Sequence, residues 1–81
     1  MLVTIRLFAR LREIAGASEL QHELPEGASA RTAWERLVRD HPALDDYGRA
    51  VSCAVNEEYA RLPTPLKHGD EVAFLPPVSG G

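Results

Sequence analysis

Ser29-Ala30-Arg31-Thr32-Ala33-Trp34-Glu35-Arg36-Leu37-Val38-Arg39-Asp40-His41-Pro42 is the stretch whose pattern separates the possible folds. Ala30, Ala33, Trp34, Leu37 and Val38 recur at three- and four-residue spacing and form one apolar stripe. Arg31, Glu35, Arg36, Arg39 and Asp40 occupy the other side, so this is a helix with one face to bury. Ser29 is a good N-cap, but the capping box is incomplete because Thr32 stands where Glu or Gln would close it. Pro42 disfavours helical backbone at His41, and the helix is expected to stop there. Trp34 lies on the stripe and is read as core, the largest single contributor to apolar burial.

On both sides of this helix the period changes to two. Leu2 to Phe8 alternates, with Val3, Ile5 and Leu7 on a core face and Leu2, Thr4, Arg6 and Phe8 on the other. From Ala9 to Ala15 the spacing turns helical for one or two turns, with Leu11, Ile14 and Ala15 in register and Gly16 as the stop. Glu19 to Leu24 alternates again, and Pro25-Glu26-Gly27 makes a turn into the main helix. Beyond the helix, Asp45 to Gly48 reads as a loop. Ala50 to Val55 reads as a strand with Val51, Cys53 and Val55 on one face. Asn56-Glu57-Glu58 is a turn, Tyr59 begins a very short strand, and Leu62-Pro63-Thr64-Pro65-Leu66 is a constrained loop. Lys67 to Asp70 turns tightly into a last strand, Glu71 to Leu75, with Val72 and Phe74 inward. The order is strand, strand, helix, strand, short strand, strand, with no repeat and no linker. Its two-layer solution is an α+β domain, a mixed sheet packed against one main helix. That is the β-grasp, or ubiquitin-like, architecture, expected over residues 1–75 with an extended tail over 76–81.

Composition limits what such a domain does. With 81 residues, 44% hydrophobic and 26% charged, the chain is one globular domain near the lower size at which a core suffices. A lone cysteine excludes an internal disulfide and suggests a reducing compartment. Cys53, on an apolar strand face, is expected to be a buried, inert thiol. No apolar run reaches the length of a membrane span, and Met1 leads straight into a strand pattern, so no membrane association is expected and the location is read as cytoplasmic. A net charge of −3 with nine dispersed Lys and Arg residues argues against nucleic acid as a partner. No phosphate loop, dinucleotide fingerprint or nucleophile elbow is present. His22, His41 and His68 fall on a strand, a helix end and a turn with no ligand spacing around them, so no metal site and no bound cofactor are expected.

Two features are left for function. The chain closes on Pro76-Pro77-Val78-Ser79-Gly80-Gly81. The prolines cannot donate to a ladder and end the strand, and the glycines, lacking Cβ, fit a channel too narrow for other residues. Six extended residues reach roughly 20 Å, enough to place a terminal carboxylate inside another protein. The second feature is strand parity, which puts Phe8 and Leu75 on the outer faces of the first and last strands, with Tyr59 on a short strand nearby. An apolar cluster on a small domain reads as a docking surface beside that tail.

With these residues in view, the whole chain resembles the MoaD family, the small, sulfur-carrying subunits of molybdopterin synthase. The resemblance rests on Leu7-Phe8-Ala9-Arg10-Leu11-Arg12-Glu13, on Val55-Asn56-Glu57-Glu58-Tyr59, and above all on the run from Pro65 to Gly81. The family usually carries a second aromatic where Leu75 stands here. The resemblance implies that an E1-like, MoeB-like enzyme uses ATP to adenylate the carboxylate of Gly81. A sulfur donor such as a cysteine desulfurase system then converts it to a thiocarboxylate. It further implies docking through Phe8, Tyr59 and Leu75 on a MoaE-like large subunit in a heterotetramer. There the tail, Pro76 to Gly81, enters the active site and gives sulfur to cyclic pyranopterin monophosphate. In this picture the chain is a cosubstrate rather than a catalyst. Alternatives that share the Gly-Gly end are a β-grasp sulfur carrier for thiamin thiazole or tRNA thiolation, a ubiquitin-like modifier, or a binding module with an inert tail.

Overall fold

The computed structural model describes residues 1–77. Two helices, one 3-10 segment and five strands follow in the order β1 (Leu2–Leu7), α1 (Ala9–Ala15), β2 (Glu19–Glu23), α2 (Ala30–Asp40), the 3-10 turn Pro42–Tyr47, β3 (Ser52–Val55), β4 (Glu58–Ala60) and β5 (Glu71–Leu75). The sheet order is β2-β1-β5-β3-β4. β1 and β5 run parallel in the centre, and the other pairs are antiparallel. This is the mixed sheet of a β-grasp, with α2 as the covering layer.

The core follows from strand parity. Val3, Ile5 and Leu7 of β1, Val72 and Phe74 of β5 and Cys53 of β3 all turn to the helix side and are buried. Ala30, Ala33, Trp34 and Leu37 meet them from α2. Trp34 and Phe74 pack ring against ring, with centroids 5.2 Å apart and planes tilted by 55°, the tilted arrangement that aromatic quadrupoles favour. No polar side chain lies within this core among the described residues.

The departures from the sequence expectation are local. The capping box does close, because Thr32 Oγ1 accepts from the Ser29 backbone N–H at 3.1 Å and does the work expected of Glu or Gln. Of the segment read as a loop, Asp45 to Tyr47 belong to the 3-10 turn, which starts on Pro42 and buries Leu44 completely, and Gly48 caps it. Proline at the first position of a helical segment loses no hydrogen bond, and Leu44 then fills the space beyond the end of α2. β3 begins at Ser52 rather than Ala50, because the N–H groups of Ala50 and Val51 are taken by the carbonyl of Tyr47. Glu58, read as turn, is the first residue of β4. β1 and β2 each stop one residue early, at Leu7 and Glu23.

Candidate functional site

The outer face of the sheet, away from α2, carries the candidate site. The ladder registers place Arg6 beside Ala73, Ala73 beside Ala54, and Ala54 beside Tyr59, a row crossing β1, β5, β3 and β4. Phe8 lies one residue past the last β1–β5 pair, Leu7 with Phe74, and so falls level with Leu75. The two central alanines are small and the flanking residues large. The result is a concavity of about 240 Å³, floored by Ala54 and Ala73 and walled by Phe8, Leu75 and Tyr59. The three residues expected to form a docking patch therefore line one hollow. Leu75 and Phe8 are half-buried, whereas Tyr59 is 84% exposed.

Local backbone explains how Phe8 is held there. It keeps extended geometry as the N-cap of α1 (φ −125°, ψ 154°), while Ala9 takes φ 51°, the left-handed region that favours glycine. The chain thus reverses directly after the ring, and the Phe8 carbonyl accepts from the N–H of Leu11 at 3.1 Å. A non-glycine residue in this region costs about 1–2 kcal/mol. The Arg6 guanidinium covers the ring at 5.4 Å from its centroid and reaches toward Glu71, Nη1 to Oε1 3.8 Å. Cation and aromatic thereby share one edge of the hollow.

Several lining residues were not singled out by sequence reasoning. Arg6, Ala54 and Glu71 enter the site only once the register across β1, β5 and β3 is known, since ladder partners far apart in sequence leave no mark on the local pattern, and Glu57 enters through the turn between β3 and β4. The nearest available signal was that Arg6, Ala73 and Leu75 share the outer parity of their strands.

Pro76 follows β5 half-buried and Pro77 is exposed, so the chain leaves the sheet at the rim of the hollow. The expected tail residues Val78, Ser79, Gly80 and Gly81 lie outside the described residues.

The remaining candidates separate in space. Cys53 is buried on the core side, its Sγ donates to the carbonyl of Ala60 at 3.2 Å, and burial pushes the thiol pKa up. His68 accepts from the Leu2 N–H through Nδ1 at 3.0 Å, His41 caps the end of α2, and His22 lies in β2. Among the described residues no three metal-ligating side chains cluster, and no helix is long and apolar enough to cross a membrane. A hydrogen-bonded network ties the end of β3 to the start of β5. Asn56 Nδ2 donates to Asp70 Oδ1 at 3.0 Å, the Glu71 N–H donates to Asn56 Oδ1 at 3.0 Å, and the Lys67 N–H donates to Asp70 Oδ2 at 2.8 Å. The Asn56 bond, with help from the Lys67 N–H and against some desolvation, holds the Asp70 carboxyl below its usual pKa.

Comparison with known proteins bears on all of this. The ThiS family model matches residues 5–81. A molybdopterin synthase sulfur carrier subunit from Chlamydomonas reinhardtii is 41% identical over 83 residues, spanning 100% of both chains. One from Arabidopsis thaliana is 37% identical, spanning 98% of this chain and 82% of its own. The crystal structure of SAMP1 from Haloferax volcanii superposes with a TM-score of 0.84 at 33% identity, covering 100% of both chains.

Proposed function

The chain belongs to the ThiS family, and we propose that within it this protein is the sulfur carrier subunit of a molybdopterin synthase. The observation that carries the proposal is the end-to-end similarity to subunits of that name. The apolar hollow at the rim where β5 gives way to Pro76 is what such a carrier needs beside its working end.

A carboxylate is a poor acyl donor, because oxide is a poor leaving group. An E1-like enzyme joins the Gly81 carboxylate to the α-phosphorus of ATP, releasing pyrophosphate and leaving an acyl adenylate. The terminal sulfur of a donor protein's persulfide attacks the carbonyl carbon and AMP departs, leaving an acyl disulfide. A second thiol then attacks the donor's sulfur, forming a disulfide with it and releasing the terminus as a thiocarboxylate. The charged carrier docks through Phe8, Tyr59 and Leu75 on a large subunit holding cyclic pyranopterin monophosphate. Its tail delivers sulfur there, and two carriers in succession supply the two sulfurs of the dithiolene. The contribution of this chain is positioning: an unhindered acyl sulfur held at a fixed reach from a docked domain turns an encounter between molecules into an intramolecular one.

Leu75→Arg tests the docking half of this proposal. Leu75 is half-buried on the outer face, so the variant should fold, while a charge set into an apolar contact should weaken the complex with the purified large subunit by about 2 kcal/mol or more. Calorimetry showing wild-type affinity for a folded Leu75→Arg chain would place the interface elsewhere.

The similarity to SAMP1, a small archaeal modifier protein, favours a second reading. The same activated carboxyl would then be passed to a lysine amine of another protein, forming an amide and releasing AMP. Covalent conjugates that form with the activating enzyme and ATP, in the absence of any large subunit, would favour it.

A further inference from the structure

The hollow on the outer face is not electrically neutral. One arginine and two glutamates, Arg6, Glu57 and Glu71, give its lining a net charge of −1. Arg6 and Glu71 lie 3.8 Å apart and largely offset one another. Among the described residues, Glu57 is in no ion pair and its side chain makes no hydrogen bond.

Glu57 also stands where a glutamate is least suited. Asn56 and Glu57 are the two central residues between β3 and β4, with φ of 51° and 71°. Two successive left-handed residues make the mirror-image hairpin turn in which asparagine followed by glycine is favoured. Asn56 has a local reason to be there, since its side chain bridges Asp70 and the Glu71 N–H. Glu57 has none. A strained residue whose side chain has no hydrogen bond or ion pair among the described residues, at the lip of a cavity, points to a role outside its own chain.

Size indicates what sits beside it. At about 240 Å³ the hollow is smaller than the roughly 300–1,000 Å³ of small-molecule sites, and it is floored by two alanines. That suits one large side chain of another protein better than a free ligand.

We infer that the partner docking on this face carries a lysine or arginine next to the apolar side chain that fills the alanine-floored hollow, and that Glu57 is the residue that recognises this cation. The inference rests on the docking surface proposed above and adds the partner's charge and the residue that selects for it. Apolar walls account for adhesion. A single uncompensated carboxylate at the rim sets orientation and speeds encounter with a cationic surface, and Glu58, exposed on the next residue, adds potential of the same sign.

Two substitutions separate charge from backbone. Glu57→Gln keeps the turn and removes the charge, while Glu57→Gly removes the charge and relieves the strain. Binding of each full-length chain to the purified large molybdopterin synthase subunit is followed by stopped flow and by equilibrium titration at two ionic strengths. Glu57→Gln should weaken binding about fivefold near 25 mM salt, mostly through the association rate, and the gap should close to within about twofold near 0.5 M salt. Glu57→Gly should lose the same affinity while its thermal midpoint rises. If Glu57→Gln binds like wild type at low salt while Leu75→Arg still weakens docking, this inference is overturned and the docking surface stands. If Leu75→Arg also binds like wild type, the surface itself is wrong.

Discussion

Truncating Trp34 to alanine tests the fold on which the site depends. Trp34 is 5% exposed, and its ring faces Phe74, which is fully buried on β5. Phe74 is flanked on that strand by Ala73 and Leu75, the floor and one wall of the outer hollow. Removing a buried tryptophan costs about 3–5 kcal/mol, of which the ring pair accounts for roughly 0.5–1.5 kcal/mol. A domain of 81 residues holds only about 4–12 kcal/mol in total, so the variant should be marginal. At roughly 4–8 °C per kcal/mol for a domain of this size, the midpoint should fall by about 12–40 °C. Urea and thermal unfolding followed by far-ultraviolet circular dichroism measure both quantities. A loss below about 1 kcal/mol would mean that α2 does not pack its stripe on the sheet. Any loss of partner binding in this variant should track the unfolded fraction.

Other expectations concern groups nearer the site. Cys53 is buried with its thiol pKa raised, so native protein should react with iodoacetamide far more slowly than unfolded protein. Folded Cys53→Ala should acquire sulfur as fully as wild type, and loss of sulfur there would move the carrier site to the side chain. The Asp70 carboxyl is held below its ordinary value, chiefly by Asn56. Its contribution to stability is therefore present above the unfolded pKa of about 3.9 and lost as pH falls through the lower folded value. Asp70→Asn should flatten the acid limb of the thermal midpoint below about pH 4, and a limb as steep as that of wild type would remove Asp70 from the account.

The helix stripe, the inward parity of β1 and β5 and the burial of Cys53 were legible because each is set by residues within one element. Ala30, Ala33, Trp34 and Leu37 repeat at the helical period, and Val3, Ile5 and Leu7 at the strand period. Phe8 and Leu75 could be recognised as outward-facing apolar residues on the same ground. What the sequence left unread depends on contacts between elements. Leu44 is core because a 3-10 turn initiated at Pro42 folds it under α2, and Leu66 is core because its N–H is taken by the Ala28 carbonyl. The alanine floor exists only because Arg6, Ala73, Ala54 and Tyr59 fall in one row, which is a matter of register. The significance of Glu57 needed a backbone angle that no residue type announces.

The carrier itself is tested by weighing it. β5 ends at Leu75 and Pro77 is exposed, so deleting Gly81 or adding one residue beyond it should change stability by no more than about 0.5 kcal/mol. Both changes should prevent charging, which requires a free carboxylate at a fixed reach from the docked domain. Wild-type chain incubated with the E1-like enzyme, ATP and a sulfur donor is analysed by intact-mass spectrometry with fragmentation from the C-terminus. Wild-type chain should gain the mass of one sulfur less one oxygen, carried on Gly81 and absent from both altered chains. A gain that maps to Cys53, or molybdopterin formation supported by a chain with a blocked terminus, would rule out Gly81 as the sulfur-bearing residue.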